Sequence, residues 1–268
     1  MGELLAANPP AVMQHTRYLS AAIAILALGA LFVPGFKSQP SVSDQHTFVI
    51  VHGAWGGGWG FQAVDSILTH RGHTVYRVTL TGLGERSHLA SPEVGLETHI
   101  TDVVNTILWE DLNDVTLWGH SYGGMVVTGV GDRIPERLRR IIYSDALLPL
   151  SGESAMDIVR PGMAQYVRET YSNGMSMANH VRDTTAVPRG MPQPYRTFTD
   201  KITLRNSAGS IVPGTFILTV EPTQQPDGAQ KFADRADSLG MDVLIMEADH
   251  NPQNSVPEEL VDLLLSIK

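Results

Sequence analysis

The chain has no cysteine. Disulfide scaffolds, cysteine-ligated zinc, iron–sulfur clusters and thiol nucleophiles are excluded together. The redox compartment stays open, because a cysteine-free protein folds on either side of a membrane. A basic run is also missing: 19 Lys and Arg stand against 28 Asp and Glu, a net charge of −9. Such a chain is poorly suited to neutralise a phosphate backbone, so nucleic acid is not expected as a partner. There is no Gly-x-Gly-x-x-Gly with an acid about twenty residues on, and no Gly-Lys-Ser/Thr, which removes the nucleotide-loop readings. No His/Glu cluster has metal-ligand spacing, and neither metal nor cofactor is expected. Internal repeats and low-complexity tracts are absent.

What is present is a globular composition. Of 268 residues, 43% are hydrophobic and 18% charged, enough to bury a core and too apolar for disorder. Residues 44–268 suit one α/β domain and are tight for two. The first 43 residues differ. Nineteen residues without a charge separate Arg17 from Lys37 and include the apolar run Ala21 to Val33. Residues 18–36 therefore read as a secretory signal or a single membrane anchor, and an exported or membrane-tethered protein is expected. The alternative is a helix packed on the domain. Ser41 and Ser43 form a small-x-small pair well beyond the apolar run, which leaves cleavage or retention open.

From residue 46 onward, short β-rich runs alternate with amphipathic stretches. Strands are expected at Thr47–Val51, Thr74–Leu80, Asp114–Gly119, Arg140–Ser144, Thr215–Val220 and Asp242–Glu247. Near-continuous apolar runs such as Phe48-Val49-Ile50-Val51 suit strands buried on both faces of a parallel sheet. Helices are expected at Gln62–His70, Glu97–Trp109, Tyr122–Val130 and Ala229–Leu239. A last one runs to Ile267, opened by a Ser255/Glu258 capping box. This alternation implies an open, mostly parallel sheet flanked by helices. Residues 147–210 break it, with many Met, Tyr, Pro and polar residues and no clear strand. Their apolar side chains favour a cap over a pocket.

The sharpest motif is Trp118-Gly119-His120-Ser121-Tyr122-Gly123-Gly124. It follows a strand and opens a helix, the context a Gly-x-Ser-x-Gly nucleophile elbow requires. A sharp turn strains the serine, and the flanking glycines relieve the collisions. The hydroxyl of Ser121 then stands at a helix N-terminus, where developing negative charge is favoured. A serine needs a base, and triad order on this architecture is serine, acid, histidine. Only His180 and His250 follow Ser121. His180 falls in the cap, whereas His250 follows the last strand, so His250 is the expected base.

The acid must hold the imidazole tautomer and stabilise the imidazolium. Glu221 closes the strand before His250 and ranks first; Asp145, at the end of the preceding strand, ranks second; Asp227 ranks third. Asp249 adjoins the base and is expected to point away. The oxyanion hole is expected at the backbone amides of Ala54, in His52-Gly53-Ala54-Trp55, and of Tyr122. Trp55, Tyr122, Met163 and Tyr166 are candidate pocket lining, with core packing favoured for Met163 and Tyr166. The Met and aromatic content of the cap points to an apolar small-molecule substrate.

Together these segments resemble the α/β-hydrolase superfamily. The resemblance is closest to small serine esterases related to plant methyl-ester esterases and hydroxynitrile lyases, with their bacterial counterparts. It covers residues 46–268 and rests on four segments: Phe48-Val-Ile-Val-His-Gly-Ala-Trp55, Thr81-Gly-Leu-Gly-Glu-Arg-Ser-His-Leu89, Gly119-His-Ser-Tyr-Gly-Gly124 and Ala248-Asp-His250. It implies an α/β-hydrolase fold with a helical cap inserted between strands, and a carboxylesterase working through an acyl-enzyme. It also implies Ser121 as nucleophile, His250 as base, and Ala54 and Tyr122 as oxyanion donors. Relatives place an Asp just past the strand where this chain reads Val220-Glu-Pro-Thr-Gln-Gln-Pro-Asp227, which keeps Asp145 in contention. Lyases of the group use a Thr at the position of Gly53 and a Lys at that of Asn251; both are missing, and hydrolysis is favoured over cyanohydrin cleavage. A non-catalytic ligand-binding protein is the remaining alternative, opposed by the intact Ser–His pair.

Overall fold

The computed structural model describes residues 45–177, 185–206, 211–221 and 228–268. The N-terminal segment, His180 and Asp227 lie outside the described residues. The central sheet is built from β1 (Thr47–Val51), β2 (Thr74–Val78), β3 (Val115–His120), β4 (Leu138–Ser144), β8 (Gly214–Val220) and β9 (Asp242–Glu247). Three short strands of the cap, given below, take the numbers between. The order is β2-β1-β3-β4-β8-β9, with every neighbouring pair parallel.

Strand periodicity sorts the side chains into two cores. Phe48, Ile50, Trp118, Ile142 and Ile217 face one side, where α1 (Gln62–His70) and, late in the chain, α9 (Pro257–Ser266) cover them. Val49, Val51, Leu117, Tyr143 and Phe216 face the other. That second side is covered by α2 (Leu96–Trp109), α3 (Gly123–Arg133) and α7 (Gln230–Ser238). Burial on both faces is why these strands read as apolar runs.

Between β4 and β8 lies the cap. It holds α4 (Ala155–Ile158), α5 (Pro161–Glu169) and α6 (Arg196–Thr199). It also holds a small antiparallel sheet of β5 (Tyr171–Ser172), β6 (Met175–Ser176) and β7 (Gln193–Pro194). The cap is thus mixed, not purely helical. Among the described residues, no helix is long and apolar enough to cross a membrane.

Two local expectations need correction. β2 stops at Val78, short of Leu80. Thr79 turns its hydroxyl to the Gly58 amide and the Leu80 amide donates to His52, so the backbone leaves the sheet to hold a loop. Nor does Ser255 cap the last helix. It ends a separate turn, α8 (Pro252–Ser255), and its hydroxyl donates to Asp249 at 3.0 Å. The capping box is instead at α4, where Ser154 and Asp157 exchange bonds reciprocally.

Candidate active site

Ser121 sits between β3 and α3 at φ 53°, the left-handed region that side chains avoid. The turn survives because its neighbours are glycines. A Cβ on Gly119 would stand 2.7 Å from Val127, and one on Gly123 would stand 2.5 Å from the Val51 carbonyl. The Leu147 amide ties down the Ser121 carbonyl at 2.9 Å. The hydroxyl is left to reach His250, whose Nε2 accepts it at 3.1 Å.

His250 follows β9. Its Nδ1–H donates to Asp145 Oδ2 at the end of β4. This corrects the ranking of the acids: Asp145, not Glu221, is bonded to the imidazole. The ring has one Nδ1 donor, and Asp145 takes it; no hydrogen bond joins Glu221 to His250. Asp145 reaches it through a left-handed backbone, φ 45°, with its amide fixed to the Ile217 carbonyl at 2.8 Å. Its side chain is 3% exposed against 45% for the histidine, so the pair is anchored from the acid side. Asp249 faces its own turn, accepting from the Asn251 amide and Ser255, as expected.

Among the described residues, neither the Ala54 nor the Tyr122 amide is used in a turn, loop or cap hydrogen bond. The next amide, of Trp55, is taken by buried Gln193 at 2.7 Å. Trp55 also donates its indole N–H to the Ser176 carbonyl and accepts from the Met191 amide, so the loop after β1 is bolted to the cap. Its ring packs edge-on against Tyr166 and tilted against Phe198. Met163 lines the space over Ser121, whereas Tyr166 is packing for Trp55.

Three buried histidines brace the site. His52 donates from Nδ1 to the Gly53 carbonyl at 2.7 Å and accepts from the Leu80 amide, fixing the loop after β1. His120 donates to the His250 carbonyl at 2.7 Å, with the rings 4.9 Å apart. His99 donates to the Thr81 carbonyl and accepts the Tyr122 hydroxyl, both at 3.0 Å. Asp102, gripping Thr81 and Arg86, locks the segment that supplies this carbonyl. Burial, the dominant cause, drives the pKa of His52 down to about 4 and those of His99 and His120 to about 3. Burial also raises that of Tyr122. All three rings are therefore neutral at pH 7, single donors and single acceptors. Residue-by-residue reading missed these braces: apart from Gly53, their partners lie 18 or more residues away, although His52 and His120 lie inside quoted motifs and Thr81 opens another.

Two cavities meet at Ser121, one of about 850 Å³ and one of about 60 Å³. Chemically, the arrangement can move a proton from Ser121 to a histidine oriented by a buried carboxylate, beside two free amides.

A family model described as "Alpha/beta hydrolase family" matches residues 48–263. The chain belongs to the α/β-hydrolase family. Among curated relatives, this α/β hydrolase is 33% identical over 240 residues to a carbendazim hydrolyzing esterase of Nocardioides, covering 82% of this chain and 98% of the relative. It is 24% identical to a pyrethroid hydrolase of Sphingobium wenxiniae, covering 81% and 85%. Among solved structures, an extracellular alpha/beta-hydrolase from a Paenibacillus species superposes with a TM-score of 0.72 at 24% identity, covering 82% and 98%. The Arabidopsis methylesterase MES16 superposes with a TM-score of 0.62, also at 24% identity, covering 82% and 98%. These two likenesses speak to fold.

Proposed function

We propose that this α/β hydrolase is a serine carboxylesterase that works through an acyl-enzyme. The observation that carries the reading is the relay Ser121–His250–Asp145, joined by two consecutive hydrogen bonds. Ser121 Oγ attacks the ester carbonyl carbon as His250 Nε2 takes its proton, while Asp145 steadies the imidazolium. The Ala54 and Tyr122 amides hold the oxyanion, whose charge also meets the N-terminus of α3. His250 returns the proton to the alcohol oxygen as the carbon–oxygen bond breaks, then activates water against the acyl-enzyme. That the curated relatives named above are an esterase and a hydrolase supports the ester bond as target. Amides and lactones suit the same constellation. Residues 1–43 are the export signal or anchor in this proposal, residues 44–268 the catalytic domain and 147–210 its cap; the uncharged stretch 18–36 supports the first part.

The test is covalent labelling of the full chain by a fluorophosphonate, read by peptide mass spectrometry. Modification of Ser121, abolished in His250→Ala, is the expected result. A chain that resists the probe, or is labelled elsewhere, contradicts the reading.

A further inference from the structure

The two cavities at Ser121 are unlike in size and chemistry. The larger, about 850 Å³, is lined by His250, Asn251, Gln253, Trp59 and Arg189, among others. The smaller, about 60 Å³, is walled by Leu147, Met156, Val159, Val167 and Phe198. Ala54, Trp55, Ser121 and Met163 border both. Among the described residues, no carboxylate, lysine, arginine or histidine lines the smaller one.

Proton transfer decides which half of an ester enters which cavity. In the tetrahedral intermediate the carbon carries Ser121 Oγ, the oxyanion, the acyl substituent and the leaving oxygen. The leaving oxygen takes its proton from His250 Nε2, so it stands on the His250 side. His250 lines the larger cavity and not the smaller. With the oxyanion held between the amides of Ala54 and Tyr122, the acyl substituent has the remaining direction. That leaves it the smaller, mostly apolar cavity lined by Tyr122 and Leu147.

We infer that the enzyme is selective for esters of a short, uncharged acyl group, of acetyl to butyryl size, with a bulky alcohol or phenol. The inference rests on the esterase reading above. One water needs about 10–15 Å³ of such space, so a cavity of about 60 Å³ has room for a few heavy atoms. A charged acyl group would lose its hydration there without a partner. The larger cavity takes a ring system, and His250, Asn251, Asn254 and Arg189 among its lining residues give it polar walls. Specificity for chain length therefore lies with Met156, Val159 and Val167 in the cap.

The test uses two isomers on the full chain: benzyl acetate and methyl phenylacetate. Their leaving alcohols are of similar reactivity, and only the placement of the ring differs. The expected result is at least a tenfold higher kcat/KM for benzyl acetate. Along nitrophenyl esters, kcat/KM rises up to about fourfold per methylene from acetate to butyrate, then falls at least tenfold by octanoate. Met156→Ala, or Val167→Ala should the first not fold, moves the optimum to longer chains. Equal rates for the isomers, preference for methyl phenylacetate, or an optimum at octanoate overturns the assignment and leaves the esterase intact. No turnover of any ester, with Ser121 unlabelled by the fluorophosphonate, sinks the esterase reading and this inference together.

Discussion

Asp145 directly follows β4, and His250 follows β9 two strands away, yet the imidazole Nδ1–H lands on the aspartate. The strand between them, β8, ends at Glu221's doorstep but contributes only a backbone carbonyl, from Ile217, to hold Asp145 in place. The carboxylate bonded to the imidazole thus lies one strand inward from the slot that chain order favours.

Replacing Asp145 with Asn is accordingly expected to lower kcat on the order of 10⁴, because an amide stabilises neither the tautomer nor the imidazolium. Glu221→Gln changes kcat by less than threefold. Steady-state kinetics on a nitrophenyl ester separates the two; equal and large losses would return Glu221 to the site.

His120 is a positioning residue for the base. His120→Leu removes the donor to the His250 carbonyl and is expected to lower kcat by about 10- to 100-fold, the scale of a small misplacement of a reacting group, with KM nearly unchanged. His120→Gln, which keeps a donor, recovers part of the loss. A drop in stability with kcat intact would mean that the bond is packing alone.

How much of this was legible in the sequence follows from the range of the contacts. The parallel sheet announced itself because the inner strands are buried on both faces, and runs such as Phe48 to Val51 have no polar side. The strained turn at Ser121 was legible because it demands glycines at fixed local spacing, and chain order pointed to His250 as the ring that meets it. The carboxylate beside the ring was not: Glu221 and Asp145 both stand at strand ends, and only the left-handed backbone of Asp145 turns it to His250. Helix capping at Ser255 failed because the last helix starts at Pro257 with Val256 in the N-cap position, so Ser255 lies one residue too early.

Tyr122→Phe leaves His99 Nδ1 buried without a donor. The expected cost is about 1–3 kcal/mol of stability, read as a lowered midpoint in urea at unchanged slope. Activity falls less than stability, because the group proposed to hold the oxyanion is the backbone amide. Loss of kcat at wild-type stability contradicts this division of roles.

Acid sensitivity follows from His52, His99 and His120. Each is held neutral, with a folded pKa near 3 to 4 against about 6.5 unfolded. The unfolded chain therefore binds more protons between those values. Stability is full above about pH 6.5 and is lost as pH falls toward 4, by about 1 kcal/mol per pH unit for each ring. Urea titrations at pH 7.5, 6 and 5 should give falling midpoints; a flat profile over this window would show that the rings are not buried neutral.

The most direct measurement is hydrolysis of nitrophenyl acetate by the full chain beside its Ser121→Ala variant, at equal folded concentration. The account predicts turnover that collapses by several orders of magnitude in the variant, on the order of 10⁶ in comparable triads. Equal activity in both proteins would contradict it, since the carbonyl would then be attacked by something other than Ser121.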